Sequence, residues 1–165
     1  DLPLCPVNDK LDIAAFIMFG DVELTVACAS ELLKKVPEFD VILTAEAKGI
    51  PLAYEMSRQS GKLYIPARKG PKLYMEEPVV VEDRSITTEA VQRLVIDKKD
   101  LAAMDGKRIL IVDDVISTGG SLHALETLAA KSSGTVVAKA AVLAEGEAAD
   151  RGDIVFLAPL PLFFK

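Results

Sequence analysis

Residues 109–121 read Ile-Leu-Ile-Val-Asp-Asp-Val-Ile-Ser-Thr-Gly-Gly-Ser, and this stretch decides the fold. Its first part, Ile109–Val112, is an unbroken run of aliphatic residues that favours a buried β-strand. Two aspartates follow the run directly, and glycine and hydroxyl residues come next. Beyond them, a helix is predicted over Gly119–Lys131. The stretch therefore predicts a strand that leads through a polar turn into a helix.

The acidic pair and the loop after it suit two parts of one ligand. Carboxylates only accept hydrogen bonds, so Asp113 and Asp114 match the two neighbouring hydroxyls of a ribose. A strand would point them to opposite faces, and we therefore expect the strand to end before them. The loop brings backbone N–H groups to a helix N-terminus, where an anion is stabilised and glycine permits close approach. The predicted ligand is a ribose 5-phosphate, its phosphate held by Ser117, Thr118, Gly119, Gly120 and Ser121.

Three other interpretations compete with a sugar-phosphate site. A strand and a capped helix without a ligand would be purely structural, but two consecutive carboxylates suit such a turn poorly. A receiver domain would need an acceptor aspartate after a later strand, whereas the strand predicted over Ile154–Leu157 is followed by Ala158 and Pro159. A P-loop is excluded because Gly-x-x-x-x-Gly-Lys-Ser/Thr occurs nowhere in the chain. The sugar-phosphate site is therefore the favoured interpretation.

The rest of the chain alternates between strand and helix patterns. Strands are predicted over 11–18, 41–44, 63–65, 79–81, 94–96, 136–142 and 154–157, and further helices over 21–35, 50–60 and 97–104. This order predicts an α/β fold with a mainly parallel sheet flanked by helices. Ligands of such sheets bind beyond the carboxyl ends of the strands. The rule indicates three loops, 46–49, 67–72 and 113–121.

The length, composition and net charge of the chain limit the classes of protein to which it can belong. The 165 residues fit a single domain over 1–165, and the high aliphatic and low aromatic content suits a sheet covered on both faces. The formal net charge is −6, so nucleic acid is not an expected partner. No membrane span is expected, because the longest apolar run, Leu157–Phe164, is short and contains two prolines. Cys5 and Cys28 lack metal-ligand spacing and read as reduced thiols of a cytoplasmic protein.

Residues 109–121 closely resemble the signature of the type I phosphoribosyltransferases, above all the adenine and xanthine enzymes. In that family the acidic pair holds the ribose hydroxyls of 5-phosphoribosyl-1-pyrophosphate (PRPP), and the Thr-Gly-Gly loop holds its 5′-phosphate. The resemblance implies that Asp113 and Asp114 are the catalytic pair and that 117–121 is the phosphate loop. It also implies the type I fold, with a small hood formed by the N-terminal segment and the C-terminal tail.

Two further loops resemble the pyrophosphate-binding parts of the adenine enzymes. The segment Glu46, Ala47, Lys48 and Gly49 stands where the family has Glu/Asp-x-Arg-Gly, often with a non-proline cis peptide. Lys48 keeps the cation of the family's arginine but loses its bidentate fork. Arg68, Lys69 and Lys72 match an Arg-Lys-x-x-Lys-Leu stretch that contacts pyrophosphate partly across a dimer interface. In isolation this would be a solvated basic turn; beside the other loops it implies pyrophosphate binding and a homodimer.

The choice of base depends on the loop Glu82–Glu89, which corresponds to the mobile loop of the family. Adenine enzymes carry a glutamate there, whereas this chain places Ser85 at that position. The residues Ser85, Ile86, Thr87 and Thr88 are more like Ser-Phe-Thr-Lys of the xanthine enzymes. Hypoxanthine-guanine enzymes have an aspartate at the position of Ser117. The resemblance implies a purine phosphoribosyltransferase, with adenine as the first candidate and xanthine or hypoxanthine as alternatives.

The remaining expectations concern the tail, the metal and a rival function. The tail 157–164 resembles a Pro-x-Pro-Phe-Phe run of the adenine enzymes. Phe163 and Phe164 are expected either near the base or in the core, and the core is the preferred prediction. The resemblance implies Mg²⁺ held through PRPP and water, without direct protein ligands. The implied activity is that of a pentosyltransferase acting on PRPP and a purine base. The alternative is a regulator of the same fold that senses PRPP without catalysis.

Overall fold

The computed structural model describes residues 2–84 and 91–165. The predicted loop residues Ser85, Ile86, Thr87 and Thr88 lie outside the described residues. The strands are β1 Leu4–Asn8, β2 Leu11–Ala14, β3 Val41–Ala45, β4 Leu63–Ala67, β5 Pro78–Arg84, β6 Val91–Asp97, β7 Arg108–Ile116, β8 Thr135–Glu145, β9 Val155–Leu160 and β10 Leu162–Phe164. The helices are α1 Val22–Lys35, α2 Ile50–Ser60, α3 Lys98–Ala103 and α4 Gly120–Ala129, and a 3-10 helix spans Gly146–Asp150.

The centre of the molecule is a five-stranded sheet with the order β4-β3-β7-β8-β9. All of its neighbouring strands are parallel. Helices α1 and α2 cover one face, where Leu32 and Leu52 share a core cluster with Leu110. Helix α4 covers the other face, where Leu125 and Ile111 share the second cluster. The prediction of a parallel sheet flanked by helices is confirmed.

Local signals in the sequence fix the ends of the helices. Asp21 caps α1, because its carboxylate accepts a hydrogen bond of 3.0 Å from the Leu24 N–H. Pro51 stands in the first turn of α2, and Gly61 ends that helix with a left-handed φ of 70°. These two helices agree with the predictions. Helix α2 packs on β3 and β7, whereas α1 packs on α2 and on β8 and β9.

A separate antiparallel hairpin of β5 and β6 lies on the α4 side. It is joined to the residue after β4 by a pair of backbone hydrogen bonds between Arg68 and Val95, of 2.8 and 2.7 Å. Val81 and Leu94 on the hairpin pack into the same core cluster as α4. Strands β5 and β6 directly precede and follow the segment that contains the predicted loop residues 85–88.

A small sheet with the order β1-β2-β10 brings the two ends of the chain together, and we call it the hood sheet. The predicted strand over 11–18 is wrong beyond Ala14: the chain leaves the hood sheet there, and Phe16 and Met18 are buried in the cluster under α1. The core prediction for the tail phenylalanines is also wrong. Strand β10 is an edge strand, and Phe163 and Phe164 are 38% and 78% exposed.

Two smaller findings concern the cysteines and the search for membrane-spanning helices. Cys5 is exposed and Cys28 is buried, and both are free. Burial is also the main reason why the pKa of Cys28 is raised, so this thiol is held in its uncharged form. In the described ranges no helix combines the length and apolar character that crossing a membrane requires.

Candidate active site

A cavity of about 870 Å³ opens at the carboxyl ends of the central strands, below the hood sheet. Its walls come from five parts of the chain: the hood and the segment after it, the loop after β3, the loop after β4, strand β6, and the ends of β7, β8 and β9 with the turn into α4. The lining residues are Ile13, Ala14, Ala15, Phe16, Ile17, Ala45, Glu46, Ala47, Lys48, Lys69, Val91, Arg93, Leu94, Asp113, Asp114, Val115, Ser117, Ser121, Glu145 and Leu160. The site therefore lies where the strand-end rule places it.

The acidic pair lies inside strand β7 rather than after it, so the predicted strand end at Val112 is wrong. Both carboxylates nevertheless line the same cavity. Leu110 and Ile116 are six positions apart and would share one face of a regular strand. Leu110 instead packs in the core cluster under α1, and Ile116 packs in the cluster under α4. The alternation of faces expected for a strand is therefore broken across Asp113 and Asp114. This break lets two consecutive side chains serve one site.

The pair is strongly coupled. Asp114 is only 3% exposed, and its backbone N–H donates to Asp113 Oδ1 at 2.9 Å. Burial, followed by the charge of Asp114, raises the pKa of Asp113. Lys48 Nζ lies 3.5 Å from Asp114 Oδ2. We infer that Asp113 keeps a proton at neutral pH.

Asp114 Oδ2 is buried and accepts no hydrogen bond from the described residues. Leaving a buried carboxylate oxygen without a donor costs free energy, which a ligand hydroxyl at this position would recover. Asp114 lines the large cavity, and Lys48, its ion-pair partner, lines the same cavity. The pair is therefore prepared to accept hydrogen bonds from a bound molecule.

A smaller cavity of about 120 Å³ lies beside the pair and is formed by the turn into α4. Its lining residues are Asp113, Val115, Ile116, Ser117, Thr118, Gly119, Gly120, Ser121 and Leu122. Gly119 has a left-handed φ of 85° and starts the helix. Within the described chain, no hydrogen bond engages the N–H groups of Thr118, Gly119 or Gly120. These amides at a helix N-terminus form an anion cradle of the kind predicted for a phosphate.

The loop after β3 has the backbone geometry expected from the resemblance. The peptide bond between Glu46 and Ala47 is cis. A Cβ on Gly49 would overlap with Thr44 Oγ1 and would lie 3.1 Å from Asp113 Oδ1. Glycine is therefore required at this position because the loop passes directly over the acidic pair.

Glu46 organises the basic loop instead of facing a ligand with a free carboxylate. It accepts hydrogen bonds of 2.8 Å from Arg68 Nε and 2.5 Å from the Lys69 N–H. Burial alone would raise the pKa of Glu46, but these hydrogen bonds and the charge of Arg68 lower it overall. The two predicted pyrophosphate loops are thus joined to each other by this carboxylate.

The structure divides the predicted cations into two groups. Lys48 and Lys69 line the large cavity. Arg68 and Lys72 do not belong to its lining, and Arg68 is held by Glu46 and by the Tyr74 hydroxyl at 2.5 Å. The arrangement therefore presents two lysines to a ligand, with an arginine that supports the loop from which Lys69 projects.

Two charged residues near the site were missed from the sequence. Glu145 is the last residue of β8 and lines the large cavity. Arg151 Nη1 lies 3.0 Å from the Cβ position of Gly119, and its guanidinium is fixed by two hydrogen bonds of 2.8 and 2.7 Å to Asp153. The strand-end rule applies equally to β8 and gives a signal for Glu145. No pattern in the sequence predicts that Arg151 lies next to the loop 117–121.

Comparison with known proteins agrees with this geometry. The family model of the phosphoribosyl transferase domain matches residues 27–156. This chain belongs to that family. Among curated members, the adenine phosphoribosyltransferase of Thermotoga petrophila is 38% identical over 103 residues, which cover 62% of this chain and 58% of the relative. The adenine phosphoribosyltransferase of Rhodococcus jostii is 33% identical over 126 residues, which cover 76% of this chain and 69% of the relative.

Solved structures show that this phosphoribosyltransferase domain has the type I fold. The adenine phosphoribosyltransferase of Thermoanaerobacter pseudethanolicus superposes with a TM-score of 0.79 at 23% identity, covering 96% of this chain and 95% of its own. The enzyme of Saccharomyces cerevisiae, solved with an imino-altritol bisphosphate and adenine, gives 0.73 at 20% identity, covering 95% and 92%. The match to the Thermotoga petrophila relative spans somewhat over half of that protein, 58%.

Proposed function

We propose that this phosphoribosyltransferase domain, residues 1–165 as one unit, transfers the 5-phosphoribosyl group of PRPP to a purine base. Adenine is the first candidate for the base, since the curated relatives above are named adenine phosphoribosyltransferases. The observation that carries the proposal is that two adjoining cavities, which share Asp113, Ser117 and Ser121, bring together a buried acidic pair, an anion cradle and two lysines. These groups match the hydroxyls, the phosphate and the diphosphate of PRPP respectively.

The substrate is placed by these groups. The ribose hydroxyls donate to Asp113 and Asp114, and the 5′-phosphate accepts from the amides of the loop 117–121. The diphosphate then lies towards Lys48 and Lys69, beside the loop after β3. The base occupies the apolar part of the cavity below the hood, next to residues such as Phe16 and Leu160.

The transfer proceeds by displacement at C1 of the ribose. The lone pair of the purine N9 forms the new N–C bond, the C1–O bond breaks, and its electron pair leaves with pyrophosphate. The departing pyrophosphate takes up the N9 proton. Lys48 and Lys69 stabilise the charge on the leaving group. The carboxylate of Asp114 stabilises the positive charge that develops on the ribose, while Asp113 hydrogen-bonds with a ribose hydroxyl.

Magnesium fits this site as a partner of the substrate. In the described residues no group of three or more His, Cys, Asp and Glu side chains is arranged to hold a metal ion. The oxygen donors at hand are Asp113 and Asp114, and Mg²⁺ commonly keeps several waters while binding substrate phosphates. When bound, the ion neutralises diphosphate charge, and the acidic pair would act on it through the ribose hydroxyls and water.

The proposal also includes the oligomeric state, the cellular compartment and the role of the loop 85–88. Exposed apolar residues on the α1–α2 surface, among them Val22 and Tyr54 at 73% and 57% exposure, support a homodimer. The free thiols of Cys5 and Cys28 support a cytoplasmic protein. The loop 85–88 is proposed to close over the bound substrates and exclude water, as the family resemblance implies.

Pyrophosphate release tests the proposal against the alternative of a PRPP sensor. The protein is incubated with PRPP and Mg²⁺ together with adenine, hypoxanthine, xanthine or guanine, and both pyrophosphate and the nucleoside monophosphate are measured. We expect release that depends on the base and is fastest with adenine. A protein that binds PRPP but releases no pyrophosphate with any base would instead be the sensor.

A further inference from the structure

One acid in the large cavity has no part in the placement of PRPP. Glu145 ends strand β8 and its half-buried side chain lines the cavity. In residues 2–84 and 91–165, no hydrogen bond or ion pair to Glu145 is found. A half-buried acid that makes no hydrogen bond or ion pair in this part of the chain, placed in a ligand cavity, is a candidate for direct contact with the ligand.

The strand pairing shows which part of the cavity Glu145 occupies. Its backbone pairs with Leu160 at the end of β9, and Leu160 is buried. The next residue, Gly146, lies against the hood sheet, since a Cβ there would be 2.9 Å from Leu162 Cδ1. Glu145 does not line the phosphate cradle. It therefore lies at the hood end of the cavity, where the base is proposed to bind.

The roles and contacts of the other polar lining side chains also leave Glu145 as the candidate. The polar lining side chains at the sugar and diphosphate positions are already assigned, and Glu46 is engaged by Arg68 and Lys69. Arg93 lies 3.8 Å from Glu82 in an ion pair. Among the side chains of the described lining, Glu145 is thus the one acceptor that is neither assigned above nor in a hydrogen bond or ion pair, and the polar edge of a purine requires a partner when it is buried.

We propose that Glu145 recognises the substituent at C6 of the purine and selects 6-aminopurines over 6-oxopurines. The inference rests on the proposed function and deepens it. An ionised carboxylate only accepts hydrogen bonds, so it pairs with the amino group of adenine. The oxygen of hypoxanthine, which also accepts, would face it without a hydrogen between them. Such a mismatch in a buried site lowers affinity strongly.

Protonation of Glu145 would remove this selection, because a neutral carboxyl also donates. Burial raises the pKa of Glu145, and the positive charge of Lys48 opposes the shift. The other charged groups that line the cavity are Glu46, Lys69, Arg93, Asp113 and Asp114. The ratio of the two kcat/KM values at each pH cancels any effect of Asp113 that is common to both bases. The preference for adenine should therefore fall as the pH is lowered through the pKa of Glu145.

The test compares Glu145→Gln with Glu147→Gln, a matched change at an exposed glutamate of the adjacent 3-10 helix. A glutamine amide donates as well as accepts, so Glu145→Gln should lower the ratio of kcat/KM for adenine to that for hypoxanthine by roughly tenfold. It should also make the ratio independent of pH, while the KM for PRPP stays within about twofold of the parent. Glu147→Gln should match the parent in every respect.

Calorimetry keeps this inference separate from the proposed function. Dissociation constants of adenine and hypoxanthine, measured with ribose 5-phosphate present, report base selection without turnover. If the parent selects adenine in binding but releases no pyrophosphate, the proposed function fails and the role of Glu145 stands. If Glu145→Gln keeps the parent's adenine-to-hypoxanthine ratio, or if adenine does not bind, the role assigned to Glu145 is wrong.

Discussion

Asp114→Asn is expected to weaken PRPP binding roughly tenfold to hundredfold, the scale of hydrogen bonds to a buried charged acceptor. The substitution keeps the size of the side chain and removes its charge. It takes away the ionised acceptor for a ribose hydroxyl and the attraction to Lys48 Nζ, 3.5 Å away. Asp113→Asn should act in the same direction. Titration calorimetry with PRPP and Mg²⁺ measures both changes.

The same substitution should not weaken the folded protein, which separates a binding role from a structural one. The charge of Asp114 helps to raise the pKa of Asp113, so Asp114→Asn lets that pKa fall. In the parent, folded Asp113 keeps a proton that the unfolded chain has already released. Stability is therefore lost as the pH rises from the ordinary aspartate pKa to the raised value, and is constant above it. This loss should be smaller in the variant.

Thermal unfolding between pH 4 and pH 9 measures the effect on stability, with Asp9→Asn as a matched control at an exposed turn. The control should follow the parent in both binding and unfolding. Variants at both Asp113 and Asp114 that bind PRPP like the parent would show that the acidic pair is not the ribose site.

Gly49→Ala is expected to lower kcat/KM by about a hundredfold, the scale of effect that a displacement near 1 Å has on a positioned site. The new methyl group would overlap with the buried Thr44 Oγ1 and press on Asp113 Oδ1, 3.1 Å from its position. Either the loop carrying Lys48 moves or the carboxylate turns. The crowding should also cost about 1–3 kcal/mol of stability.

Gly152→Ala is the control for this prediction, because a Cβ at Gly152 meets no atom within 4 Å. Steady-state kinetics and urea unfolding of the two variants are compared with the parent. Gly49→Ala with parental kcat/KM would mean that the loop does not fix the acidic pair. Loss of activity in both variants would mean that glycine is required for another reason than close approach.

Much of the fold could be predicted because its signals are local. The run Ile109–Val112 and the Thr-Gly-Gly turn are contiguous, and β7, the phosphate loop and α4 follow from them. The caps of α1 and α2 also lie next to the elements that they end. The cavity could be placed because parallel strands bring their carboxyl ends to one edge.

Features that depend on pairing of distant segments were not predicted. The exposure of Phe163 and Phe164 follows from the pairing of β10 with β2, across almost the whole chain. The contact of Arg151 with Gly119 depends on the path after β8. The acidic pair was placed after its strand because a strand normally alternates faces, and a local break in that alternation has no signal in the sequence.

NMR titration of the backbone amides with ribose 5-phosphate tests the central claim most directly, since it needs no base, metal or turnover. The account predicts that the amide signals of Thr118, Gly119 and Gly120 shift most, because their N–H groups gain an anionic acceptor. The signals of Asp113 and Asp114 should shift with them. Saturable shifts elsewhere, with these amides unchanged, would contradict a sugar-phosphate site at the end of β7.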